Sequence, residues 1–199
     1  MIKNHTQLLN WLIERNSLTS YLEIGVQYPK NNFNKINCEF KVGVDPDVKD
    51  CDSVYEGTSD EYFAGYPDRS YDLIFIDGLH TADQVKRDFE NSLRCLNDNG
   101  FIVIHDTCPA NEEGTFVPRQ ERRWWGDVYK FAMSLCQYAG IKFVTLDMDE
   151  GCTIVWKDAT VTDYDPICGS TWQDYQKNKA MLLNIVPAEE FCKEISILQ

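Results

Sequence analysis

Tyr71-Asp72-Leu73-Ile74-Phe75-Ile76-Asp77-Gly78-Leu79-His80 is the stretch that decides how this chain folds. Leu73 to Ile76 is apolar without interruption, as a strand covered on both faces requires, and the run ends on an acid, a glycine and a histidine. A helix is expected from Thr81, with Val85, Phe89, Leu93 and Leu96 forming a stripe at spacings of four, four and three, and a stop at Asn99-Gly100. The next strand is Phe101 to Ile104. Upstream, Tyr21-Leu22-Glu23-Ile24-Gly25 and Phe40-Lys41-Val42-Gly43-Val44-Asp45 read as buried strands, Ser53 to Glu56 as a weaker third, and Gln7 to Arg15 as an amphipathic helix behind a Thr6 cap. Downstream, a polar stretch from Thr107 to Arg123 reads as a long loop. Val128, Phe131, Ala132 and Leu135 then restore helical spacing before strands at Lys142–Leu146 and Cys152–Trp156.

Seven strands with intervening helices predict an α/β, doubly wound, mostly parallel sheet of the Rossmann-like kind. The last two strands have no helix between them, so they should form an antiparallel terminal hairpin. The tail carries Trp172, Tyr175, Met181, Leu182, Leu183 and Phe191 and should fold back as a helical extension. Residues 1–160, including a lid-like loop at 107–126, are expected to make one domain, with 161–199 packed on it.

The 199 residues suffice for one core, and 43% hydrophobic with 26% charged residues excludes collagen-like and wholly disordered classes. A formal net charge of -13 disfavours nucleic acid and anionic membranes, although Arg119, Arg122 and Arg123 form a local basic cluster. No apolar run is long enough to span a bilayer and Met1-Ile2-Lys3-Asn4-His5 lacks a secretion signal's apolar core, so a cytoplasmic location is expected. The eight cysteines, at 38, 51, 95, 108, 136, 152, 168 and 192, show no C-x-x-C pair and read as reduced, mostly structural thiols.

Ligands of open α/β sheets bind beyond the carboxyl ends of the strands. Those ends carry Glu23-Ile24-Gly25, Asp45, Glu56-Gly57-Thr58-Ser59, Asp77-Gly78-Leu79-His80 and His105-Asp106-Thr107, which include two of the chain's three histidines. Gly25 permits close approach of a ligand to the backbone. Asp45, 20 residues on, is placed to bind ribose hydroxyls. The dinucleotide pattern G-x-G-x-x-G is missing, since Val26-Gln27-Tyr28-Pro29-Lys30 follows Gly25, and this favours a nucleoside cofactor without phosphates.

Taken together, Tyr21–Val26, Val42–Pro46, Tyr71–His80 and Asn99–Asp106 resemble the class I S-adenosylmethionine-dependent methyltransferases. The I-D-G-x-H and H-D motifs, Gly126-Asp127-Val128-Tyr129-Lys130 and the tail Trp172 to Asn184 are similar to a bacterial and phage-type branch associated with glycan modification. The resemblance implies that Glu23 and Gly25 contact the methionine part of S-adenosylmethionine and Asp45 its ribose. It also implies that Gly57, Thr58 and Ser59 lie near the adenosine or methionine end, and Asp77 at the sulfonium side. An acceptor hydroxyl needs a base or a metal to lower its pKa. His80 suits the base role. Asp77 with Asp106, joined or not by His105, resembles the ligand set for a divalent cation such as magnesium in catechol-type and macrolide-sugar O-methyltransferases, although Thr107 departs from that pattern. The reading is O-methylation of a small molecule or saccharide, with the homo-oligomeric state left open. A nicotinamide-dependent oxidoreductase and a non-catalytic binding module are the competing readings.

Overall fold

The computed structural model describes residues 2–49, 53–162 and 169–194. Cys51 and Cys168 fall outside them, while Cys38, Cys95, Cys108 and Cys152 are unbridged. The chain runs α1 (His5–Asn16), β1 (Ser20–Ile24), β2 (Phe40–Asp45), β3 (Tyr55–Glu56), α2 (Ser59–Gly65), β4 (Tyr71–Ile76), α3 (Ala82–Cys95), β5 (Leu96–Ile104), α4 (Val128–Met133), β6 (Ile141–Leu146), β7 (Cys152–Lys157), α5 (Trp172–Leu182), β8 (Ile185–Val186) and α6 (Ala188–Glu194).

One sheet forms in the order β3-β2-β1-β4-β5-β7-β6-β8. β3, β2, β1, β4 and β5 are mutually parallel, and β7 is antiparallel to both β5 and β6. The expected antiparallel hairpin is therefore present, and its second strand inserts between β5 and β6. The expected seven strands become eight, because the tail contributes β8, parallel to β6 at Thr145–Ile185 and Leu146–Val186. Two residues are too few to show a period. The helix expected to reach Asn99 ends instead at Cys95, since Leu96 already pairs with Tyr71 and a register shift follows between Tyr71 and Leu73. The Asn97 side-chain amide donates to Asp72 Oδ1 at 2.6 Å and Lys157 Nζ to the Leu96 carbonyl at 2.6 Å, holding this segment extended.

Alternation along β4 divides its side chains between two layers. Leu73 and Phe75 pack with Leu8, Leu9 and Leu12 of α1. Ile74 and Ile76 face the opposite layer with Phe89 of α3 and Phe131 of α4. The unbroken apolar run of β4 follows from burial on both sides. The tail packs as expected: Trp172 and Tyr175 of α5 meet Tyr129 of α4, and Phe191 of α6 meets Trp11 with ring centroids 5.8 Å apart. No helix among the described residues is long and apolar enough to cross a membrane.

Candidate functional site

β1, β2, β4 and β5 end at the same sheet edge. The connection from β1 leads to β2 on one side, while β4 lies on the other, so a crevice opens between their ends. A cavity of about 730 Å³ occupies it, lined by Glu23, Gly25, Asp45, Thr58, Ser59, Asp77, His80 and Asp106 of the residues singled out above. Gly57 is not in this lining. A Cβ on Gly57 would lie 2.5 Å from the Tyr55 ring, so packing explains that glycine.

Asp45 is buried. Its Oδ2 accepts from the Gln27 backbone N–H at 2.9 Å and its Oδ1 from that of Asp47 at 2.7 Å, so the carboxylate ties together the loops after β1 and β2. Each oxygen keeps a further lone pair for a ligand hydroxyl. Thr58 caps α2 through a capping box with Glu61. Ser59 Oγ donates to Asp88 Oδ1 at 2.6 Å. Glu23, 2% exposed, accepts from the Tyr21 hydroxyl at 2.6 Å and from Asn32 Nδ2 at 2.9 Å, both on Oε2. Burial pushes its carboxyl up to about 8, against the two hydrogen bonds that pull it down.

Gly25 lines the cavity, and packing also requires a glycine there: at φ +93°, an added Cβ would sit 2.0 Å from the Asp77 carbonyl oxygen, so the turn after β1 rests directly on the turn after β4.

The acid–histidine half lies across the cavity. His80 Nδ1 is 2.9 Å from Asp106 Oδ2, and His80 Nε2 is 3.5 Å from Asp77 Oδ1. His105 Nδ1 is 3.2 Å from Asp77 Oδ1 and 3.4 Å from Asp106 Oδ1. Burial lowers the His80 pKa, but the hydrogen bonds and charges of Asp106 and Asp77 prevail and carry it to about 10. Burial would raise Asp77, yet the His105 and His80 rings hold it well below the carboxylate range. Asp106 is buried at φ +60°, a left-handed conformation uncommon outside glycine, of the sort that clusters at functional sites. Ligand atoms of Asp77, His80 and Asp106 all lie within 4.8 Å of one another, which fits a divalent cation. Thr107 does not join them, because its hydroxyl accepts from Thr153 Oγ1 at 2.9 Å inside the sheet.

The loop between β5 and α4 packs on this half. Trp124 stacks on the His80 ring with centroids 5.3 Å apart, and the Arg119 guanidinium lies 5.8 Å from the Trp124 ring centroid. Gly126, at φ +61°, rests on the His80 carbonyl, where a Cβ would come within 1.6 Å. Asp127 Oδ1 accepts from the Ala82 N–H at 2.7 Å. The Gly126-Asp127 pair thus docks the loop on the first turn of α3. Sequence reasoning missed His5 and Asp149, which join His105 beside this cluster: His5 Nδ1 is 2.6 Å from Asp149 Oδ2.

A parallel sheet carrying one reversed strand between β5 and β6, with acids and histidines around a crevice at its carboxyl edge, defines the class I S-adenosylmethionine-dependent methyltransferase fold. Residues 18–107, from the approach to β1 through the end of β5, match the family model described as a methyltransferase domain. Among solved structures, a candidate caffeoyl-CoA O-methyltransferase from Staphylococcus aureus aligns with TM-score 0.58 and 20% identity, over 79% of this chain and 85% of its own. An O-methyltransferase from Bacillus cereus, in complex with S-adenosylhomocysteine, gives 0.58 at 14% identity over 77% and 80%. MycE, a methyltransferase of the mycinamycin biosynthetic pathway solved with Mg, S-adenosylhomocysteine and mycinamycin VI, gives 0.50 at 16% identity over 78% and 49%. At these identities the likeness concerns the fold.

Proposed function

We propose that this protein transfers the sulfonium methyl of S-adenosylmethionine to a hydroxyl group of a small molecule or saccharide held against the acid–histidine cluster. The observation that carries the reading is one cavity with two chemically distinct halves: buried Glu23 and Asp45 on one side, Asp77, His80 and Asp106 on the other. The first half suits an adenosyl amino acid. Asp45 would accept from the ribose hydroxyls and Glu23 would meet the α-ammonium group. The second half suits an acceptor. Two of the solved structures named above are complexes with S-adenosylhomocysteine, one of them also with Mg and mycinamycin VI. The sheet departs from the dinucleotide-binding order 3-2-1-4-5-6 by its reversed β7, and no second glycine follows Gly25, both of which weigh against a nicotinamide cofactor.

In the reaction the acceptor oxygen attacks the methyl carbon in line as the carbon–sulfur bond breaks, leaving the neutral thioether. Alignment supplies much of the acceleration. Asp106 fixes one ring nitrogen of His80 and leaves the other to take the hydroxyl proton. With its pKa near 10, His80 must first release the proton it already carries at neutral pH. A divalent cation, when bound by Asp77 and Asp106, supplies positive charge that acidifies the acceptor hydroxyl. Arg119 and Trp124 line the same cavity and offer a stacking face and a positive charge for a sugar with an acidic substituent.

With an acceptor found by screening, His80→Ala should lower turnover by about 10²- to 10⁴-fold while S-adenosylhomocysteine still binds in calorimetry. Full turnover in that variant would remove His80 from the base role. Asp45→Ala should weaken S-adenosylhomocysteine binding by about 1.5 to 3 kcal/mol, the scale of hydrogen bonds to a charged group. An unchanged dissociation constant would contradict the ribose assignment.

A further inference from the structure

Beside the cavity, His5, His105 and Asp149 come from three separate parts of the chain: the first turn of α1, the end of β5 and the turn between β6 and β7. Their ligand atoms lie within 4.8 Å of one another. His5 Nδ1 is 2.6 Å and His105 Nε2 3.8 Å from the same oxygen, Asp149 Oδ2. The second distance is too long for a hydrogen bond and short enough for two atoms sharing a metal ion.

His105 provides the independent observation. Its Nε2 is buried and has no hydrogen-bond partner, an arrangement that is costly in a folded protein. Its other nitrogen, Nδ1, faces Asp77 Oδ1 at 3.2 Å, and a carboxylate there orients the ring so that Nε2 points toward Asp149. Metal-binding histidines are built in this way, with a carboxylate behind the ring orienting it and raising its basicity. His5 is also held in place: its ring stacks on Phe75 with centroids 5.3 Å apart, and its backbone N–H donates to Asp149 Oδ2 at 2.7 Å. Both histidines line the cavity.

We propose that His5, His105 and Asp149 form a second metal site, distinct from the Asp77–His80–Asp106 cluster, that takes a transition-metal ion of the zinc class. Two imidazoles and one carboxylate make a borderline-soft donor set that suits Zn²⁺ or Co²⁺ better than Mg²⁺, which prefers oxygen ligands. Three protein ligands leave a fourth tetrahedral position for water. The ion takes the place of the direct contact between His5 Nδ1 and Asp149 Oδ2. It also pins the start of α1 to the β6–β7 turn at the cavity wall.

The test is calorimetric titration of the full chain, without an affinity tag and stripped by chelator, with Zn²⁺, followed by Co²⁺ absorption. One equivalent should bind, and Co²⁺ should give the intense visible bands of low-coordinate sites. His5→Ala should weaken binding beyond the 10- to 100-fold typical of losing an outer partner. Asp149→Asn should do the same, and it keeps an oxygen to accept from the His5 N–H and so guards against misfolding. His80→Ala should leave this binding intact. Absence of saturable Zn²⁺ binding overturns the proposal, as does binding that survives both His5→Ala and Asp149→Asn, or binding lost in His80→Ala.

Discussion

Glu23→Gln is expected to destroy tight binding of S-adenosylhomocysteine and, at the same time, to make the folded chain more stable at pH 8. Both effects come from one carboxyl group, 2% exposed and accepting from Tyr21 and Asn32, whose pKa burial raises from 4.5 to about 8. Between those values the folded protein holds a proton that the unfolded chain has lost. The contribution of Glu23 to stability is therefore fully present below pH 4.5, falls as pH rises and is gone above about pH 8. At 1.36 kcal/mol per pKa unit the loss amounts to roughly 5 kcal/mol. Glutamine, neutral throughout, removes that one-proton slope. Chemical denaturation of both proteins at pH 5 and pH 8 measures it, and a parallel pH dependence in the variant would show that Glu23 does not titrate in this range.

The ligand side follows from the same proton. If Glu23 meets an α-ammonium group, only its carboxylate form does so, and below pH 8 binding must first expel the proton. Affinity should rise by about tenfold per pH unit from pH 6 to 8 and then level, with proton uptake by the buffer visible in calorimetry. Glu23→Gln leaves a buried cation without its partner, which costs about 3 kcal/mol or more, or a Kd raised by at least about 100-fold. Wild-type binding that is flat from pH 6 to 8 would remove Glu23 from the ammonium contact.

Much of this site could be read from the chain because parallel strands announce themselves. Continuous apolar runs such as Leu73–Ile76 mark strands buried on both faces, and the residue after each run falls at the carboxyl edge, which is how Asp45, Asp77, His80 and Asp106 were found. Asp149 is not legible in this way because the direction of β6 is set by its pairing with β7 and not by any local pattern. β6 is antiparallel to β7 and β7 to β5, so β6 runs with β5 and its end, three residues before Asp149, reaches the same edge. His5 escaped because it precedes any strand, yet a helix leading back into β1 starts near that edge. β8 and the early end of α3 were illegible for another reason: tertiary pairing with β6 and with Tyr71 decides them, and neither leaves a local period.

Gly25→Ala is expected to be a strongly damaging small substitution. The residue sits at φ +93°, where an L side chain costs about 1 to 2 kcal/mol. The new Cβ would also lie 2.0 Å from the Asp77 carbonyl oxygen, 2.4 Å from its carbon and 2.6 Å from Gly78 Cα. All three are backbone atoms, so no rotamer change relieves the clash. The neighbouring ladder opposes any shift, since the Gly25 N–H donates to the Val44 carbonyl and the Asp77 N–H to the Ile24 carbonyl, each at 2.9 Å. Overpacking adds about 1 to 3 kcal/mol, for a total of about 2 to 5 kcal/mol. In a chain of this size that lowers Tm by about 5 to 15 °C. Whatever movement accommodates the methyl carries Asp77 with it, and Asp77 is the contact of both His80 and His105, so turnover should fall more steeply than stability. Gly65→Ala is the matched control: nothing lies within 4 Å of its Cβ and it ends α2, so alanine there should leave Tm unchanged or slightly raised. If Gly25→Ala melts within a degree or two of the control and binds S-adenosylhomocysteine normally, the turns after β1 and β4 do not bear on each other as described.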